Sequence, residues 1–142
     1  MTLLPLACGA AEDSAVPDAS PPPADASSFT VGSHWPGENG RLAVELLGAD
    51  PMPPQRDLNE WELQVGDASG APQSGCELGV GLYMPAHGHA APAEPTVAPG
   101  DSPGRYRLSD LNFSMPGTWE VTFELTCGAL TDRVVASVEI AR

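Results

Sequence analysis

The side chains best suited to chemistry lie in one short run, Met84-Pro85-Ala86-His87-Gly88-His89, with a further methionine at Met115. A thioether and two imidazoles so close together form a donor set for copper. Thioether sulfur is soft and prefers Cu(I), while imidazole serves both copper oxidation states. In extended backbone the His-x-His spacing puts both rings on one side, and Gly88 lets the chain curl where closer approach is needed. Met84, His87, His89 and Met115 are therefore the candidate metal ligands, and copper the candidate cofactor. No carboxylates cluster with them, so calcium and magnesium are poorly served. The competing reading is structural: Met84 and Met115 have core parity and can cap the end of a β-sandwich, and two loop histidines can simply face water. His34, beside Trp35, is read as structural.

Other catalytic constellations are missing. No Ser–His–Asp or Cys–His arrangement can be argued, because the cysteines sit inside strand-like runs and two of the three histidines share one loop. Gly79-Val80-Gly81 lies within a strand pattern and is no phosphate loop. The acidic residues fall mostly on strand exteriors. The expectation is a protein that is not an enzyme.

Three cysteines, Cys8, Cys76 and Cys127, make an odd count that needs an explanation in a secreted protein. The start, Met1-Thr2-Leu3-Leu4-Pro5-Leu6-Ala7-Cys8-Gly9, is a short apolar run ending in Leu-Ala-Cys-Gly. It resembles a bacterial lipobox, in which the cysteine becomes the lipidated N-terminus. Residues 1–8 are read as a truncated lipoprotein-type signal, since the usual positively charged start is missing and Pro5 replaces an aliphatic residue. With Cys8 lipidated, Cys76 and Cys127 are expected to bridge in an oxidising compartment. Closing a loop of that length contributes about 4 kcal/mol through the unfolded chain. The alternative is two buried thiols.

Residues 9–38 are assigned to an acidic, Pro-rich linker, densest between Gly9 and Ser28, where Val16 is the only larger apolar residue. Such a stretch cannot bury enough apolar surface to offset its ordering entropy, so disorder is expected. The whole chain carries 19 acidic and six basic residues, a formal charge of −13. That balance repels nucleic-acid phosphates and anionic lipid, so no nucleic acid is expected as a partner, and membrane contact only through the lipid anchor.

Residues 39–142 must position the Met/His run, and their signal is alternation. Leu42, Val44 and Leu46 share one parity; so do Trp61, Leu63 and Val65; Cys76, Leu78, Val80, Leu82 and Met84; Trp119, Val121, Phe123, Leu125 and Cys127; and Val134, Ala136, Val138 and Ile140. Shorter runs lie near Thr96–Ala98 and Arg105–Leu108. Sixteen prolines and 15 glycines punctuate them. The pattern predicts an all-β, immunoglobulin-like antiparallel sandwich of about seven strands. If the cysteine strands are antiparallel neighbours, Met84 falls near Trp119. Extending that register puts His87 near Pro116 and Gly88 near Met115.

Asp50-Pro51-Met52-Pro53-Pro54, Asn59-Glu60-Trp61, Met84-Pro85-Ala86-His87-Gly88-His89, Gly104-Arg105-Tyr106 and Phe113-Ser114-Met115-Pro116-Gly117-Thr118-Trp119 together resemble the YtkA-like domain family. The resemblance covers about residues 41–140. It implies an extracytoplasmic, immunoglobulin-like protein, often lipid-anchored to the bacterial cell envelope, in a family many of whose members are associated with copper or cytochrome oxidase assembly systems. A copper-handling or oxidase-assembly protein is the partner it implies, with Met84, His87, His89 and Met115 matching the family's Met/His segments. The Cys76/Cys127 pair stands outside that pattern. The alternative function is a non-enzymatic protein- or peptide-interaction module without metal. A thiol–disulfide role is disfavoured by the lack of Cys-x-x-Cys spacing.

Overall fold

The computed structural model describes residues 29–142; the truncated signal, the lipidation site Cys8 and the linker through residue 28 lie outside the described residues. Nine strands follow in order: β1 His34–Pro36, β2 Leu42–Asp50, β3 Asp57–Asp67, β4 Glu77–Met84, β5 His89–Ala90, β6 Thr96–Pro99, β7 Arg105–Phe113, β8 Gly117–Cys127 and β9 Leu130–Ile140. They form two antiparallel sheets, one ordered β1-β2-β3-β7-β6 and the other β5-β4-β8-β9. The all-β antiparallel sandwich expected from alternation is the fold observed. The strands in excess of seven are the shortest, β1 and β5, too brief for a period-2 pattern to register.

Alternation places the core. Leu42, Val44, Leu46, Trp61, Leu63 and Val65 face Trp119, Val121, Phe123, Leu125, Val134, Ala136 and Val138 across the sandwich, nearly all without solvent exposure. β4 departs from the pattern, since Leu78 and Val80 have the inward parity yet are only partly buried. The reason is topological. Beyond β4 in its sheet lies only β5, which pairs with Tyr83 and Met84 and leaves the earlier part of β4 at an open edge.

Residues 29–38, given to the linker by composition, belong partly to the fold. β1 pairs with β2 in the register Trp35↔Val44, and the Gly32 N–H donates to the Leu46 carbonyl at 2.8 Å. Two aromatic rings carry this segment: Phe29 lies 4.9 Å from Trp61 and 5.9 Å from Trp35 between ring centroids. Two large rings outweigh a polar neighbourhood, because each brings far more apolar area than its neighbours lack.

The two cysteines are bridged. In the β4–β8 register Glu77 faces Thr126, so Cys76 and Cys127 are the next opposed pair, and the bridge staples neighbouring strands of one sheet. The link across the sandwich at this point is Tyr106 of β7. Its hydroxyl oxygen accepts from the Cys76 N–H at 2.9 Å and donates to the Cys76 carbonyl at 3.3 Å.

A second tie closes the other side. Asp132 shares the inward parity of β9 and is buried, 5 % exposed. Its carboxylate accepts from the backbone N–H groups of Asn39, Arg41 and Leu42 at 2.8–3.0 Å, and from its neighbour Arg133. Any Cβ at Gly37 would collide with that carboxylate. Burial opposes the charge, but the donors from Asn39, Leu42, Arg41 and Arg133 outweigh it and hold the carboxyl below its ordinary value of 3.8.

A folded-state value below the unfolded one means Asp132 stabilises the protein above the unfolded value, and that stability is lost as pH falls through the folded one. Asp132→Ala is expected to cost about 3 kcal/mol in urea denaturation at pH 7, from several orphaned donors. The gap between parent and Asp132→Asn should narrow as unfolding is repeated below about pH 4.

Candidate functional site

The site begins where β4 ends. The Met84 carbonyl accepts from the N–H groups of His87 at 3.1 Å and Gly88 at 2.9 Å, which turns the chain back on itself. Gly88 has φ +65°, a left-handed conformation that glycine adopts without penalty. β5 then returns alongside β4 with Tyr83↔Ala90 and Met84↔His89 opposed, and the Ala91 N–H closes the hairpin on the Leu82 carbonyl. The straight continuation of β4 expected past Met84 is thus replaced by a hairpin. The expected β4–β8 register holds up to that turn, with Tyr83 opposite Glu120.

Folding back gives His89 its setting. Opposed residues of an antiparallel pair carry their side chains on the same face, so His89 stands beside Met84, and Trp119 is Met84's neighbour on the other side. His89 and Trp119 meet edge to face at 6.1 Å. Trp119 is fully buried and also contacts Phe113 at 5.7 Å. Its indole N–H donates to the Met115 carbonyl at 2.9 Å, so one ring positions both the histidine hairpin and the Met115-Pro116-Gly117 crossover from β7 to β8.

His87, at the turn, lies 5.7 Å from His89 between ring centroids, with the planes at 46°. A metal about 2 Å from a ring nitrogen lies roughly 3 Å from that ring's centroid, so two rings sharing one ion need centroids within roughly 6 Å. The pair meets that condition. His89 Nδ1 is 3.2 Å from the Ala90 carbonyl; a carbonyl only accepts, so this contact is a hydrogen bond only with the proton on Nδ1, and Nε2 then carries the free lone pair. His87 also shares a cleft with Met115, Pro116 and Gly117. Three of the four proposed donors, His87, His89 and Met115, are at least partly exposed, whereas Met84 is 1 % exposed and sits beneath them.

Met84 is packed against the crossover, and a Cβ added at Gly117 would lie 2.5 Å from its methyl carbon. Among the described residues no three His, Cys, Asp or Glu side chains gather where they could hold a metal ion.

The family model for YtkA-like domains matches residues 39–124. The chain belongs to the YtkA-like family. The match spans the Met84–His89 hairpin, Met115 and Trp119, and ends before Cys127, Asp132 and Glu139. No match was found among curated proteins or solved structures.

Several residues that shape this YtkA-like domain had no assigned role in the sequence. Tyr106 was visible only as part of a short motif, Asp132 only as a lone carboxylate on the inward parity of a strand. Arg56 and Arg142 carried no local signal, because they reach the tip from separate stretches of chain. Gly117 has φ +129°, so Gly117→Ala meets both backbone strain and the Met84 methyl. The expected loss is about 1–3 kcal/mol in thermal or urea unfolding. A double-mutant cycle with Met84→Ala should recover the steric part as coupling.

Proposed function

We infer that this YtkA-like domain is a copper-binding or copper-delivery module without catalytic activity, working outside the cytoplasm on a lipid anchor at Cys8. The ion is held at the tip by His87, His89 and Met115, with Met84 as the inner sulfur donor. The observation that carries this reading is the approach of the two imidazoles to 5.7 Å on the same tip as Met115, because borderline nitrogen combined with soft sulfur is the donor chemistry of copper. Delivery fits an exposed, loop-borne site that a partner can reach, the partner being a copper-handling or oxidase-assembly protein. Protons compete with metal for imidazole nitrogen, so affinity falls with pH.

One observation favours a second reading, a metal-free interaction module. Met84 is sealed in the core and His89 lies against Trp119, so the hairpin also has a structural use. Titration of the parent and of the His87→Ala/His89→Ala variant with Cu(I) and Cu(II) separates the two. Copper carriage predicts a stoichiometric parent site and at least a roughly hundredfold weaker variant, about 2.7 kcal/mol. Equal copper binding by both proteins, with the variant merely less stable, supports the interaction module instead.

A further inference from the structure

One stretch of sheet edge is left without a neighbour. In β4, Leu78, Val80, Leu82 and Met84 share the inward parity, yet Leu82 and Met84 are 3 % and 1 % exposed while Leu78 and Val80 are only partly buried. The difference is what runs alongside. β5 pairs with Tyr83 and Met84, and the Ala91 N–H reaches the Leu82 carbonyl. Among the described residues no strand flanks residues 77–81 on that side. Backbone groups of an antiparallel strand point alternately to its two neighbours. Because the Leu82 carbonyl points toward β5, the N–H and C=O groups of Leu78 and Val80 point to the open edge, where no described residue pairs with them.

Natural edges are ordinarily blocked by lysine, proline, a bulge or an inward charge. β4 carries no lysine, proline or inward charge, and it pairs with β8 without a register shift. Glycine weakens a strand and often marks the close approach of another backbone. Neither Gly79 nor Gly81 has a positive φ that would require it. Their effect is a bare outer face: a Cβ at Gly81 would meet nothing within 4 Å, and one at Gly79 would touch only the Glu124 Cβ, at 3.7 Å. The charged side chains around this face are acidic, Glu77 on β4 with Glu124 opposite Gly79 and Glu120 opposite Tyr83 on β8. Of the three, Glu124 is ion-paired, to an Arg133 that it shares with Glu38.

We propose that residues 77–81 take an added strand from a partner polypeptide, an extended segment in which apolar and basic residues alternate. Its residues opposite Leu78 and Val80 face inward and close the sandwich over them, as β5 does over Leu82 and Met84. Those opposite Gly79 and Gly81 face outward, where a lysine or arginine lies across the glycine toward the carboxylates of β8, roughly 10 Å away at two strand spacings. Main-chain hydrogen bonds supply affinity and the alternate side chains selectivity. Two rival occupants fit less well. Residues 9–28 of this chain carry acidic side chains and no basic ones. A second copy brings a like charge of −13 to an edge only about 17 Å long, too short for the roughly 1,200 Å² of a stable interface. The proposal does not rest on the copper reading, although it seats a partner on the strand that leads into the Met84–His89 hairpin.

The test uses the full chain without metal, at physiological ionic strength, and a capped heptapeptide of alternating lysine and valine that begins and ends with lysine. Saturable amide shifts centred on residues 77–81 are expected, with slowed hydrogen exchange at Leu78 and Val80. A peptide with glutamate in place of lysine should not bind. Neither should the lysine peptide with proline for its central valine, which keeps the charge but loses a pairing N–H. Gly79→Lys/Gly81→Lys should weaken binding at least roughly tenfold. Val80→Pro, which removes an N–H unused in the free fold, should abolish it, and thermal unfolding checks that both variants stay folded. Absent or unsaturable shifts, or shifts centred elsewhere, overturn the site. Equal binding by the proline peptide or by either variant reduces it to general charge attraction and overturns it too. Protection of Leu78 and Val80 in the free chain also overturns it, in favour of a second copy where protection grows with protein concentration and of residues 1–28 where it does not.

Discussion

Trp119 is the side chain on which the tip depends. A buried indole brings a large apolar area and one N–H that must find an acceptor. Here the area lies against Phe113 and the edge of His89, and the N–H reaches the Met115 carbonyl. Because the same ring touches the β4–β5 hairpin and the β7–β8 crossover, two segments about thirty positions apart are held to one geometry. The ring contacts run on from Phe113 to Trp61 and from Trp61 to Phe29. The tip is therefore mounted on the packed interior.

The same economy governs the rest of the sandwich, where polar groups buried between strands are placed to fasten loops. The Tyr106 hydroxyl grips both backbone groups of Cys76 from the opposite sheet. Asp132 gathers the turn between β1 and β2. Asn59, 1 % exposed, donates to the Gln55 and Asp57 carbonyls and accepts from the Gln55 N–H. Each sits on the inward parity of its strand, where an unpaired polar group costs free energy, and each is satisfied by backbone that would otherwise lack partners. The bridge between Cys76 and Cys127 adds a covalent tie at the end of the sheet opposite the tip.

Charge is distributed with a similar contrast. Acidic side chains outnumber basic ones 19 to six, while the cleft beside His87 brings Arg56 and Arg142 together with Glu139 and the carboxylate of the last residue.

Much of this was legible in the residues alone. Period-2 alternation identified the strands, because a half-buried sheet dictates which side of the chain is apolar regardless of what lies opposite. The inward parity of Cys76 and Cys127, with Cys8 set aside, pointed to the bridge that the structure contains. Tertiary structure alone decided the rest. The chain reverses at Met84 because the Met84 carbonyl captures two N–H groups, and that reversal puts His89 opposite Met84 and against Trp119. Phe29 and Trp35 draw a polar-looking segment into the fold, and Arg56 and Arg142 line one cleft although they lie far apart in sequence. Alternation is a local property written along the chain, whereas convergence depends on which distant surfaces can be buried together.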